Sequence, residues 1–260
     1  RGSTAFNSPI FTSTAKVTTM AYMFSGATSF NQAVSAMNVG EVMRMDGMFE
    51  GSTSFNSAIF TITPKATNMA SMFSGATSFN QDVSAMSVGE VTTLYEMFNG
   101  ATSFNSPIFA NTAKVTTMAS MFNGATIFNT PIVTNTAQVT TMESMFQDAT
   151  SFNQNLSAMS VGEVTTMDSM FKGSTAFNNL IFTSTAKVTN MASMFSGTTS
   201  FNQDVSTMSV GEVTRMDQMF EGSTSFNSAI FTNTAKVTNM ENMFEGATSF
   251  NQDVSTMLVG

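Results

Sequence analysis

Carboxylates, thioethers and hydroxyls are the groups in this sequence whose number and spacing admit chemistry. The 260 residues hold 17 Asp and Glu and 25 Met, with no Cys, His or Trp. Without Cys and His, thiol and imidazole nucleophiles, disulfides and most zinc sites are excluded. Among the carboxylates, Asp82, Asp204 and Asp253 stand in Gln-Asp-Val stretches, but Ala33 and Asn155 take the same place elsewhere. A catalytic pair should occur once, so acids that recur imperfectly read as surface groups. No Gly-rich phosphate loop, EF-hand or nonapeptide calcium repeat is present. The sequence therefore gives no catalytic, cofactor-binding or metal-ligating residues.

The thioethers recur in pairs, Met20 and Met23, Met45 and Met48, Met69 and Met72, and so on to Met240 and Met243. Such a stripe suits a soft-metal site or an adaptable groove. It shares a helical face with Phe24 and its equivalents, however, and Leu94 replaces one member, so it reads as core. The hydroxyls make the sharpest candidate for a binding face. They are Thr12 and Thr14, Thr61 and Thr63, Thr134 and Thr136, Thr183 and Thr185, and Thr232 and Thr234. A flat Thr-x-Thr array resembles an ice-binding surface. Two breaks make that a minor reading: Ala36, Met37 and Asn38 occupy the place in one unit, and Ala110 precedes Thr112 in another. Thr is also a good strand-surface residue.

These groups are positioned by a repeat. Phe-Asn recurs with Phe at 6, 30, 55, 79, 104, 128, 152, 177, 201, 226 and 250, at spacings of 24 or 25. Two unit types explain the alternation. Type A has 24 residues, as in FNSPIFTSTAKVTTMAYMFSGATS from Phe6; type B has 25, as in FNQDVSAMSVGEVTTLYEMFNGATS from Phe79. The order is A B A B A A B A B A B, with one A-A junction at Phe104 and Phe128. A regular period of this size implies stacked coils that each touch only their neighbours. The V-x-x-M-x-x-M-F segment has the i, i+3, i+7 spacing of a short helical turn. Gly26 and its equivalents, with Asp148 once, supply the stop. The F-N-x-x-V/I segment suits a short strand. The expectation is a single continuous repeat solenoid over residues 1–260, of about eleven coils, each a short strand plus a short helical turn.

The pattern SFNQDVSxMSVGEVTxMxxMFxGATSFNQ is similar to the bacterial surface-protein repeat of about 26 residues of Mycoplasma- and Listeria-type surface proteins, related to BspA-like leucine-rich repeats. The resemblance covers essentially the whole chain and is most specific in the V-T-x-M-x-x-M-F and S-F-N-Q blocks. It implies a leucine-rich-repeat-like solenoid on a cell surface or in secreted material, with no catalytic residues to carry over. The chain departs from it in having Met37, Met86, Met159, Met208 and Met257 where that repeat usually has Trp. Most type A units replace the stretch by Thr-x-Thr.

Stacking turns each recurring residue into a ladder. The Asn of Phe-Asn gives Asn7, Asn31, Asn56, Asn80, Asn105, Asn129, Asn153, Asn178, Asn202, Asn227 and Asn251. An inward Asn there satisfies turning backbone groups and its neighbour's amide, a structural role. The residue before the recurrent Val is Lys16, Glu41, Lys65, Glu90, Lys114, Gln138, Glu163, Lys187, Glu212 and Lys236. Adjacent opposite charges are favourable by ~0.2–1 kcal/mol and like charges unfavourable. The one neutral member, Gln138, falls at the A-A junction, where a Lys would face Lys114. The ladder reads as a device that fixes coil order.

A net charge of −8 argues against a nucleic-acid partner, and no apolar run approaches the ~18 residues of a membrane span. The chain opens at Arg1, as a processed product or excerpt does, with the end of a B unit, and closes with the front of another, FNQDVSTMLVG. Open, nearly complementary ends are the condition for head-to-tail self-association. The expected function is thus a non-enzymatic extracellular or cell-surface fibre or scaffold. The alternative is an adhesion module that binds a protein or glycan through a lateral face. No cofactor is expected.

Overall fold

The computed structural model describes residues 2–10, 13–109, 111–132, 135–255 and 257. Successive units lie directly on one another. Parallel bridges join Thr19 to Arg44, Arg44 to Asn68, Asn68 to Thr93 and onward to Asn239, one bridge per step. The chain is a tandem-repeat protein whose contacts run from each unit to the next.

The strand-plus-helix unit expected from the spacing is not what forms. Among the described residues there is no helix, and the only β pairing is the single-residue bridge of each step. The V-x-x-M-x-x-M-F segment is instead a chain of tight turns, each closed by an N–H that donates to the carbonyl three residues back. In the first unit the N–H of Met23 donates to the carbonyl of Met20 at 3.1 Å and that of Ala27 to Phe24 at 3.0 Å. The alternate N–H groups point out of the unit: Met20 donates to Arg44 at 2.8 Å, Tyr22 to Asp46 at 2.9 Å, Phe24 to Met48 at 2.8 Å and Gly26 to Glu50 at 2.7 Å. An N–H given to the neighbouring unit is not available for an i→i−4 helical bond. The residue before Met-Phe is also left-handed in every unit described, as with Tyr22 at φ 56° and Ser120 at φ 54°. A left-handed residue interrupts a right-handed helix. Such turns still bring i and i+3 to the same side, which is why the apolar spacing looks helical.

The second left-handed position is Gly26 and its equivalents, stacked into a column. A Cβ on Gly26 would stand 3.1 Å from the Cα of Gly2, and one on Gly75 3.5 Å from that of Gly51. Asp148 is the exception, with φ 55°. A Cβ on the next member, Gly173, would lie 2.2 Å from its Oδ1, so the Asp148 side chain covers that glycine.

The core lies between this turn wall and the rest of each unit. Two columns of Phe run through it. Phe49 and Phe55 are 4.0 Å apart with rings 5° from parallel, and Phe49 and Phe73 of successive units are 5.5 Å apart at 1°. Met45, Met48, Met69, Met72 and Leu94 fill the space beside them at 0% exposure. The Met stripe is therefore core, as its register with Phe24 implies. Burying each such side chain contributes ~1.5–3 kcal/mol.

The one-residue difference between A and B has a definite place. From the Lys or Glu position to the next Phe the count is always 14, as from Lys16 to Phe30 and Glu90 to Phe104. From Phe to that position it is 10 in A and 11 in B, as from Phe6 to Lys16 and Phe79 to Glu90. The turn wall is thus constant in length, and the opposite wall absorbs the whole difference.

Candidate functional site

The charge ladder resolves into pairs. Lys65 lies 2.6 Å from Glu41, Lys114 from Glu90, Lys187 from Glu163 and Lys236 from Glu212. Each Lys of an A unit thus reaches back to the Glu of the preceding B unit. Among the described residues no ion pair runs forward from a Lys to the next Glu, and Lys16 and Gln138 have none. Gln138 follows the A unit of Lys114, so the backward pairing has no acid to offer there. All four pairs are about half exposed, which limits each to ~0–1 kcal/mol.

The Asn ladder is a bonded column, but it lies on the surface and not inside. Asn7 Oδ1 accepts from the N–H of Asn31 at 2.9 Å, Asn31 from Asn56 at 2.8 Å, and the chain of bonds continues to Asn227 and Asn251. Gln of each B unit adds a second donor, as from Gln81 Nε2 to Asn56 Oδ1 at 3.0 Å, and Ser of A units does the same, as from Ser57 Oγ to Asn31 Oδ1 at 2.8 Å. The turn wall satisfies its backbone internally, and here a side chain does that work.

The Thr-x-Thr pairs do not present a flat array. Thr14, Thr63, Thr136, Thr185 and Thr234 are buried at 0–2% exposure, whereas Thr61, Thr183 and Thr232 are exposed. The buried members bond to the next unit: Thr14 Oγ1 donates to the carbonyl of Asn38 at 2.6 Å, Thr63 to Ser87 at 2.6 Å and Thr185 to Ser209 at 2.8 Å. Half of each pair is therefore joinery, and the two-rank hydroxyl surface is not formed. Thr12, Thr134 and Ala110 lie outside the described residues.

The Gln-Asp-Val acids are held in their charged form. Hydrogen bonds from Ser84, Ser206 and Ser255 hold the carboxyls of Asp82, Asp204 and Asp253 below their ordinary range, the opposite of what a general acid at neutral pH needs. Arg44 grips Asp46 with two bonds of 3.0 and 2.8 Å, and this pairing raises the Arg44 pKa. Among the described residues no group of three acids gathers as a metal site, and no helix is long and apolar enough to cross a membrane.

What the sequence did not reveal is a series of lateral clefts where the two walls differ. At the step from the B unit of Phe201 to the A unit of Phe226, a half-open cleft of about 320 Å³ is floored by Met208, Val210 and Phe231 and rimmed by Ser206, Thr232 and Asn233. The equivalent step from Phe30 to Phe55 has a cleft of about 290 Å³ lined by the matching Ser35, Met37, Val39, Phe60 and Thr61. Each opens beside the Val-Gly of the B unit, Val210-Gly211 and Val39-Gly40, where the longer unit lies against the shorter. The signal was Val-Gly-Glu, a tripeptide confined to B units.

Fold and surface define a tandem-repeat protein with a single stacked core and repeated lateral features. The match to known families narrows this: the model described as "Mycoplasma protein of unknown function, DUF285" covers residues 1–110, 109–184 and 182–259, and the chain belongs to that family. No curated protein matches the sequence.

Proposed function

We propose that this protein is a non-enzymatic structural scaffold of the cell surface or extracellular space: a leucine-rich-repeat-like solenoid of about eleven coils that extends by stacking end to end. The reading is supported above all by the one-way bonding of the turn wall. Each unit gives four N–H groups forward to the next, as Met45, Gly47, Phe49 and Gly51 give theirs to Asn68, Ala70, Met72 and Ser74. Wherever a run of such units stops, its last unit offers four donors and its first offers the matching carbonyls. Among the described residues the N–H groups of Met240, Asn242, Phe244 and Gly246 have no partner, nor do the carbonyls of Thr19, Ala21 and Met23. The donors border an apolar cavity of about 510 Å³ that includes Met243, Phe250 and Val254; the carbonyls border one of about 210 Å³ that includes Phe6 and Ile10. These donors belong to exposed or half-buried residues, the fourth carbonyl of the first row, that of Ser25, is already taken by Gly2, and a further unit stacked in register, of the same chain or of a second copy, pairs the rest.

Electron microscopy of the 260-residue chain across a concentration series tests this. Filaments are expected, with a sedimentation coefficient that rises with concentration. Discrete rods of one length at every concentration would refute end-to-end stacking and leave the lateral walls as the working surface.

A further inference from the structure

We propose that the lateral clefts form a periodic groove that binds a linear, uncharged polysaccharide lying along the column. The inference rests on the clefts alone and goes beyond the scaffold role, because it concerns one wall of a single chain. The ligand class follows from four properties of that wall.

First, closely similar clefts occur at distant steps, with Ser206 for Ser35, Met208 for Met37, Val210 for Val39, Phe231 for Phe60 and Thr232 for Thr61, while Ser209 stands for Asn38 and Asn233 for Ile62. The sequence repeats the Val-Gly-Glu element at the other two B-to-A steps, at Val88-Gly89-Glu90 and Val161-Gly162-Glu163. A ligand that fits one cleft and repeats along the axis meets the others, which points to a polymer. Second, the sequence sets neighbouring B-to-A steps two units apart on either side of the A-A junction, roughly 10 Å if units follow one another at the usual strand spacing. That is about the length of a disaccharide in an extended chain. Third, the lining is neutral: its one charged residue, Glu212 in the cleft of about 320 Å³, is held 2.6 Å from Lys236. A polycation or polyanion finds no uncompensated charge there. Fourth, a thioether and aromatic floor beneath hydroxyl and amide rims suits sugar rings, which carry C–H faces and hydroxyl edges.

The order of units adds a length rule. B-to-A steps fall at Phe30–Phe55 and Phe79–Phe104, then at Phe152–Phe177 and Phe201–Phe226. The A-A junction widens the middle interval to three units, so the B-to-A steps come in two pairs and a straight ligand in register engages one pair at a time. Joining two weak subsites on one ligand raises affinity without new contacts.

Calorimetric titration of the whole chain with cello-, chito- and malto-oligosaccharides, and with polygalacturonate as the charged counterpart, tests the proposal. One neutral series is expected to bind, at least tenfold more tightly as hexasaccharide than as trisaccharide and with little gain beyond. The double variant Thr61→Trp and Thr232→Trp, which plugs one cleft of each pair from exposed positions, is expected to weaken the hexasaccharide at least tenfold. Thr224→Trp, exposed away from the clefts, is expected to leave it unchanged. If the double variant melts early, Thr61→Ala with Thr232→Ala removes the rim hydroxyls with less disturbance and should weaken binding severalfold. Absence of binding by every neutral series at millimolar concentration would overturn the proposal. So would binding untouched by both double variants, or equal binding of polygalacturonate. None of these outcomes bears on filament formation, which the microscopy reads separately.

Discussion

The turn wall and the wall opposite it solve the same stacking problem by different means. On the turn wall every unit has the same length and the backbone makes the contact, four N–H···O bonds per step. The side chain at its left-handed position is therefore free to vary: Tyr22, Gly47, Ser71, Glu96, Gln218 and Asn242 all adopt it. On the opposite wall the units alternate in length, and side chains do the joining, through buried Thr hydroxyls and the Lys–Glu pairs. Uniform backbone contact tolerates sequence change, whereas side-chain contact needs particular residues and leaves gaps where the two unit lengths meet. The clefts are those gaps.

The comparison can be broken at several points. The largest effect is expected in the core that both walls share: Phe122→Ala should lower unfolding stability by ~3–5 kcal/mol, read from urea denaturation. A turn-wall change that keeps the side chain small but denies the left-handed backbone comes next. Gly124→Val, at φ 68°, is expected to cost at least ~1–2 kcal/mol, whereas Ser120→Asn beside it, at a position where Asn242 occurs naturally, should cost less than ~0.5 kcal/mol. If both cost the same, backbone bonding does not govern that wall. On the opposite wall, Thr185→Val leaves the carbonyl of Ser209 without its donor and should cost ~1–3 kcal/mol, against less than ~0.5 kcal/mol for the exposed Thr183→Val. The smallest effect is expected from Glu163→Gln, below ~1 kcal/mol and lost in 1 M salt, as for any exposed pair.

The acids add a weak pH dependence of known sign. Asp82, Asp204 and Asp253 have depressed folded-state pKa values because Ser hydroxyls and N–H groups bond the charged form. Their contribution to stability is present above the unfolded carboxylate pKa and is lost as pH falls through the folded value. Asp82→Asn should flatten the acid limb of a thermal melting series slightly and leave stability at pH 7 nearly unchanged.

The period, the unit types and the Phe and Met core were legible because burial selects residue type, and stacking selects it at a fixed interval. The Asn column was legible as structure, since only a short amide can serve both its neighbour's N–H and a second donor, but its exposure was not. The local form of the turn wall was hidden. Consecutive tight turns place Val17, Met20, Met23 and Phe24 much as a helix would, and the left-handed residue between them is Gly in only one unit, at Gly47. The split fate of Thr61 and Thr63 was hidden for a related reason. Alternation in a strand sends i and i+2 to the same side, and this segment is not a strand. The clefts need the packing of a long unit on a short one, which no single unit's sequence contains.

The one-way bonds also give the turn wall an electrical direction. Each forward bond aligns a peptide dipole of about 3.5 D with the column, and four are added at every step on the turn wall. Other bonds run backward, as from Thr67 to Met43 and from Ser78 to Thr53, and the Asn column adds one such N–H at each step. The turn wall is therefore polarised along the column with its positive pole toward the later residues, and the backward bonds polarise the rest of each unit in the opposite sense.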